Sequence, residues 1–386
     1  MKKTLLATSI ASIALSSAIS VQAQSFDELV KGGSVDLNFR YRVESADVQG
    51  GADAALANTL KSRATIKTGN MYGFSALVEG DNVFQLTDDF FDGGDNGNAN
   101  TEYDLILDQE TTQINQAYLQ YSGFSSNVKL GNQRINLDNQ RHVGGVAFRQ
   151  DEATFDAISI ENKALDNTTI FAAFANNLNN IKNDNVEADI SLLNVKYSIN
   201  KDLATSAFYY RIDPEAGSKL DTFGLRATGM AAGFGFEAEV ATQDNETNDT
   251  LYYHLNGSKK IGAVKATLGY EVMGSDDGEA SFNTPLGTNH KFLGWSDAYL
   301  SAAQWGANGI EDIYFSAVTK VSSVKLVGQI HNFSANEGSA DLGTELGFLA
   351  AKNFGTYGAS FKVAQLSGSD TKEDTTKIWL TASAKF

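Results

Sequence analysis

The sequence predicts an all-β chain: a transmembrane antiparallel β-barrel of 18 strands, with long loops folding inward. Three observations predict it. Apolar and polar residues alternate with period two along nearly the whole chain. There are 2 prolines among 386 residues. Connections are short after every second strand and often long after the others.

The strands read from their alternation. In "VDLNFRYRV" (35–43), Val35, Leu37, Phe39, Tyr41 and Val43 alternate with Asp36, Asn38, Arg40 and Arg42, giving one apolar and one charged face. "GFGFEAEVA" (233–241) repeats this with Phe234, Phe236, Ala238 and Val240 against Glu237 and Glu239. Eighteen such segments are expected, near 33–43, 57–67, 72–81, 112–121, 127–134, 154–160, 168–175, 189–199, 203–212, 220–228, 233–242, 250–257, 261–272, 311–321, 323–333, 342–351, 356–366 and 375–386. Alternation alone fits a soluble sandwich as well as a membrane barrel; in the barrel the apolar face meets lipid and the polar face lines the lumen.

Connection lengths separate the two. Even-numbered strands are followed by "TGNM", "SGFSS", "NKD", "GMAAG", "SKK", "S" and "NFGT", whereas odd-numbered ones lead into 82–111, 135–153 and 273–310. Short turns at one end and long loops at the other characterise outer-membrane barrels, and an even strand number returns both ends to one side. Pro214 and Pro285 fall in expected loops, as they should where most of the backbone is paired. Aromatics collect at both strand ends. Tyr72, Tyr121, Tyr197, Tyr357 and Phe386 are expected to point outward near the short turns, and Tyr41, Tyr210, Phe223, Tyr253 and Tyr270 near the long loops. Two such girdles sit at the headgroup level of the membrane lipid.

Residues 1–23 have the layout of a cleaved secretory signal: Lys2 and Lys3, an apolar stretch, then Val21-Gln22-Ala23. The expected organisation is signal peptide 1–23 and a single barrel domain 24–386. Losing Lys2 and Lys3 takes the net charge from −17 to −19, which excludes nucleic acid as a partner. The absence of cysteine excludes thiol chemistry and thiolate-bound metal. The last segment, "KIWLTASAKF" (377–386), alternates to an aromatic end at Phe386. It resembles the C-terminal signal by which bacterial outer-membrane barrels are recognised, which implies the barrel-insertion machinery as a partner.

A barrel of sixteen to eighteen strands is wide enough for an aqueous channel. Two stretches are expected to narrow it. "GNQRINLDNQRHVGGVAFRQDEATFDA" (131–157) is too polar and glycine-rich for a lipid-facing strand throughout, and carries Arg134, Arg141 and Arg149. "FNTPLGTNHKFLGWSDAYLSAAQWGANGIED" (282–312) suggests a helical turn or two around 295–303, with Phe292, Trp295, Tyr299 and Trp305 placed to pack inside the barrel mouth. The segments "GNQRINLDNQR", "FRQDEATFDA" and "FNTPLGTNHKFLGWSDAYLS", with "GQIHNFSA" (328–335) as a weaker fourth, resemble motifs of the alginate-export family of bacterial outer-membrane barrels, shorter porin-like members included. That resemblance implies an eighteen-stranded barrel in the cell outer membrane of a Gram-negative bacterium. It also implies an arginine-lined passage for an acidic polysaccharide.

The residues carry the anion reading separately. Parity puts Arg40, Arg42, Lys61, Arg63, Lys67, Lys129, Lys196, Arg211, Arg226, Lys265, Lys325 and Lys362 on the lumen, against Asp36, Glu79, Glu237, Glu239, Glu271 and Glu345. The expected lumen is thus basic inside an acidic protein, and basic rings in a low-dielectric pore favour anions. Arginine suits a carboxylated sugar because its planar fork matches a carboxylate with two bonds. The expected pore-lining residues are Arg134, Arg141 and Arg149 from the inward loop, then Arg40, Arg42, Arg63 and Arg226 from the wall. The expected solute is an anion, with acidic oligosaccharides such as alginate foremost; a general porin is the alternative.

No cofactor is expected. "TDDFFDGGDNGNANTEYD" (87–104) is rich in oxygen ligands but lacks the ordered spacing of a calcium loop, so a solvated acidic loop is expected and no metal. His142, His254, His290 and His331 form no HExxH or nucleophile–His motif, and no enzyme activity is expected.

Overall fold

The computed structural model describes residues 26–87, 90–94, 100–369 and 371–386. The expected signal segment, 1–23, lies outside the described residues. A short helix, α1 (Phe26–Lys31), leads into β1 (Ser34–Val48). There follow β2 (Ala55–Lys67), β3 (Phe74–Gln85), β4 (Thr111–Gly123), β5 (Ser126–Gln133) and β6 (Thr154–Asn162). Next come β7 (Thr168–Asn179), β8 (Asn185–Asn200), β9 (Leu203–Pro214), β10 (Leu220–Ala231), β11 (Phe234–Asp244), β12 (Asp249–Ile261) and β13 (Val264–Met273). The set ends with β14 (Ile310–Val321), β15 (Val324–Ser334), β16 (Asp341–Phe354), β17 (Tyr357–Ser367) and β18 (Thr375–Lys385).

Each strand pairs antiparallel with the next. β18 returns to β1, from Asn38 opposite Lys385 to Val48 opposite Thr375, so the 18-stranded sheet is a closed barrel without free edges. Closure satisfies every ladder hydrogen bond, which is the condition for crossing hydrocarbon with strands. The outer face shows Leu37, Leu119, Leu193, Leu255, Ile313 and Leu380 exposed, while their chain neighbours point inward. The connections keep the expected parity: two residues at 124–125, 232–233 and 322–323 against long loops at 86–110, 134–153 and 274–309. At these three turns both residues have positive φ, which matches the twist of a tight hairpin.

Three details differ from the sequence reading. "SKK" (258–260) is strand rather than turn; β12 runs on to Ile261 and the turn is 262–263. A polar run reads as a turn, but here its alternate residues face water inside a lumen. In β9 the frame slips by one. Tyr210 points inward and Tyr209 outward, so Tyr209 joins the girdle, and Arg211 lies on the outer side, where it pairs with Asp213 and Asp221. The slip arises because Tyr209 and Tyr210 are adjacent; Phe208 and Tyr210 stack inside at 4.8 Å, and Asn194 donates to the Tyr210 hydroxyl. Pro214 closes β9 instead of lying in the following loop.

The apolar core sits inside the barrel, in the half next to the long loops. Phe282, Leu286, Leu293, Tyr299 and Trp305 of loop 274–309 pack with Ile135 and Val143 of loop 134–153 against Phe208, Tyr252 and Phe333 of the wall. The helical turns of loop 274–309 are a 3-10 turn at Asn289–Lys291, ahead of the expected 295–303, and α2 (Ala302–Trp305), which starts at the end of that range and runs two residues past it. Ser301 and Gln304 form a reciprocal capping box on α2.

Candidate functional site

The lumen is crossed at mid-height by the two inward loops, and ion pairs tie them to the wall. β1, β2 and β3 supply one wall. Arg63 grips Asp81 with two bonds, at 2.6 and 2.5 Å, and reaches Glu152 of the loop at 3.0 Å. Arg134 bonds Glu79 at 2.9 Å and also Glu152. Glu79 is the hub of this corner. It accepts from Thr65, Asn115 and Gln116, the last two presented together because β4 bulges opposite Glu79 and Gly80 and turns consecutive side chains inward.

Arg149 fills the next position. It is 3% exposed, bonds both Glu44 oxygens at 2.9 and 3.0 Å, and meets Asp297 of the other loop at 2.5 Å. Arg42 pairs with Asp108 of loop 86–110 at 3.2 Å and lies over the Phe148 ring. Arg40 differs from the rest of the predicted set. Its donors go to Gln150 and to the carbonyls of Ala147 and Arg149, so it holds loop backbone rather than a carboxylate.

The opposite side is built alike. Arg141 is fully buried, 2.7 Å from Glu271, with Asn289 as a second partner and the Phe292 ring beneath it. Arg226 pairs with Glu237 at 2.9 Å and Glu239 at 3.2 Å, and these carboxylates also take Asn139 and His142 from the loop. Loop 274–309 hangs on Glu345, whose carboxylate accepts the N–H groups of Trp295 and Ser296 at 2.5 and 2.9 Å. Gly294 makes this approach possible: its φ is 81°, and a Cβ there would stand 2.4 Å from Glu345 Oε2.

Phe148, His290, Trp295 and Trp379 surround Lys362. Its ammonium lies 4.4 and 4.2 Å from the Phe148 and Trp295 ring centroids and 2.6 Å from His290 Nε2. Burial lowers the His290 pKa to about 3, so the ring is neutral, donating from Nδ1 to Asp297 and accepting at Nε2. Burial works against the Asp297 charge, but His290, Lys377 and Arg149 hold its carboxyl well below the usual range.

All seven predicted arginines therefore lie inside the barrel, and six of them are ion-paired. Arg63 and Arg134 share Glu79 and Glu152; Arg40 and Arg149 meet through a carbonyl; Arg42, Arg141 and Arg226 sit at separate anchor points. Sequence reasoning missed most of the partner carboxylates, namely Glu44, Asp81, Asp108, Glu152 and Asp297. Glu44 has the lumen parity of Arg40 and Arg42, but the strand expected from alternation stops at residue 43 whereas β1 continues to Val48.

Open cavities remain on the short-turn side of this layer. One of about 550 Å³ is lined by Arg63, Lys67, Lys129, Arg134 and Lys385, with Asp36 and Glu79 facing them. Among the described residues no cluster of acidic and histidine side chains has the makings of a metal site; residues 88, 89 and 95–99 of the acidic loop lie outside the described set.

The fold is that of solved outer-membrane proteins. OccK9 (OpdG) of Pseudomonas aeruginosa superposes with a TM-score of 0.68 at 15% identity, over 93% of this chain and 100% of that one. OpdK of the same organism, solved with vanillate, gives 0.70 at 12% identity over 93% and 99% of the two chains. OccAB4 of Acinetobacter baumannii gives 0.70 at 11% over 92% and 98%. No protein-family model and no curated protein matches the sequence. At these identities the likeness is one of architecture, that of a closed eighteen-stranded antiparallel barrel.

Proposed function

We propose that this chain is a channel of the Gram-negative outer membrane that passes anionic solutes, with short acidic oligosaccharides such as oligo-alginate as the substrate class. The carrying observation is the cavity below the loop layer, whose lining adds Lys67, Lys129 and Lys385 to the ion-paired Arg63 and Arg134 and holds two carboxylates, Asp36 and Glu79. Weak contacts in series let an anion enter and leave; one is worth about 1 kcal/mol in water at ~4 Å and about 4 at an effective dielectric of ~20. Crossing of the lumen by two anchored loops favours a selective passage over a wide general pore.

The sugar reading draws on the resemblance to the alginate-export family, whose three stronger matching segments lie largely in those two loops. The solved neighbours support the channel reading through their architecture, and one of them holds vanillate, a carboxylate. On the same reading the terminal strand engages the barrel-insertion machinery. Phe386 stands 60% exposed at its end, its ring against Phe39 and Tyr357.

The test is block of single-channel current in planar bilayers by oligo-alginate, against a neutral oligosaccharide of equal length. Block by the acidic oligomer alone is expected, weakened about tenfold in Arg134→Gln combined with Lys129→Gln. Equal indifference to both sugars would make the protein a general porin.

A further inference from the structure

We infer that the short-turn mouth of the barrel carries a second anion site, formed by Lys260, Lys265, Lys320 and Lys325 on the lumen side of β12–β15, and that its ligand is a solute with two or more carboxylates. The inference rests on the channel reading above and moves the source of selectivity away from the loop layer, where arginine charge is mostly spent on buried carboxylates.

Register brings the four lysines together. Lys260 stands directly opposite Lys265 across β12 and β13, and Lys320 directly opposite Lys325 across β14 and β15. Lys265 faces Val318, two residues from Lys320, so the two pairs are diagonal neighbours. Each lysine is one residue inside a tight turn, which puts all four at the short-turn rim. Four adjacent strands span about 14 Å, the reach of a short chain of spaced carboxylates.

Like charges directly opposite on a sheet destabilise it unless something neutralises them. Here, among the described residues, no carboxylate pairs with them. The four side chains are exposed, they line one open depression of about 690 Å³, and that lining contains neither aspartate nor glutamate. The contrast with mid-height is sharp: there six of the seven arginines meet a carboxylate, while here two cross-strand pairs of cations meet none among the described residues. Their parity also shows that they face the lumen: Lys260 follows His254, and Lys265 precedes Glu271, on the inward frame of their strands. A monocarboxylate would engage one ammonium at a time; a di- or tricarboxylate bridges two.

The experiment measures block of wild-type current by citrate and by acetate, compared with the quadruple variant Lys260→Gln, Lys265→Gln, Lys320→Gln, Lys325→Gln and with the quadruple Lys→Arg variant. Expected is citrate block in wild type and in the arginine variant, needing about tenfold more citrate in the glutamine variant, with acetate alike in all three. The glutamine variant is expected to fold, because it removes repulsion and no packing. Equal citrate block in wild type and glutamine variant, or none in wild type, overturns the site. A wild type without anion preference under a salt gradient, but with citrate block lost in the glutamine variant, would sink the anion-passing reading of the channel and leave the lysine site standing.

Discussion

Asp151 is the loop residue whose proton matters near neutral pH. Its Oδ1 accepts from Gln113 and from the Glu152 N–H, while its buried Oδ2 has no partner among the described residues. Burial pushes the carboxyl up to about 7, Asp81 and Glu152 add to the rise, and Lys61 opposes it. An aspartate in an unfolded chain titrates near ~3.9, so the folded loop keeps its proton to higher pH. The stability this contributes is fully present below about pH 4 and is lost as pH rises through about 7. Asp151→Asn is therefore expected to raise the unfolding free energy at pH 8, by on the order of 2–4 kcal/mol, and with it the unfolding midpoint, and to leave both nearly unchanged at pH 4. Equal midpoints at pH 8 would mean that water reaches the carboxylate. At this scale the sequence is half legible. Alternation places Arg40, Arg42, Arg63 and Arg226 on the lumen, with Glu237 and Glu239 beside Arg226, but Asp108, Glu152 and Asp297 come from loops and Glu44 from a strand extension, and pairing across 66 or 105 residues leaves no local pattern.

The strands are the most legible elements, because period two is a local signal and a closed barrel repeats it eighteen times. Their ends are less so. Past the membrane level both faces turn polar, and β12 keeps its ladder through Ser258–Lys260 where polarity suggested a turn. β9 shows the other limit: with Phe208, Tyr209 and Tyr210 in a row, hydrophobicity does not choose the frame, and the stacked pair inside does. For the inward loops, composition marks them but not their anchors. Loop 274–309 depends on Glu345, which takes two backbone N–H groups in a site where Glu345 is fully buried. Glu345→Ala leaves both donors unpaired, a cost of about 1–3 kcal/mol each. Amide exchange at Trp295 and Ser296 should accelerate at least about tenfold, while exchange in β16 itself stays slow. Unchanged exchange would show that Tyr299 and the apolar packing hold the loop without the carboxylate.

Across the whole molecule the charges are sorted by height. The loop layer is dense in both signs and largely self-neutralised, as the pairs of Arg63, Arg134, Arg149 and Arg226 show. Below it the short-turn half is basic, with Lys67, Lys129 and Lys385 on one wall and Lys260, Lys265, Lys320 and Lys325 on another. A protein of net charge −17 thus keeps a positive interior toward one mouth. Low-dielectric walls focus such a field onto the passage. On the proposed function, the sign of the lumen, not of the molecule, sets which ions cross. The most direct measurement is the zero-current potential of the wild-type channel in a bilayer between dilute and concentrated potassium chloride. The account predicts the sign given by chloride crossing faster than potassium, on both orientations of the gradient; a potential of the opposite sign, with potassium faster, would contradict it.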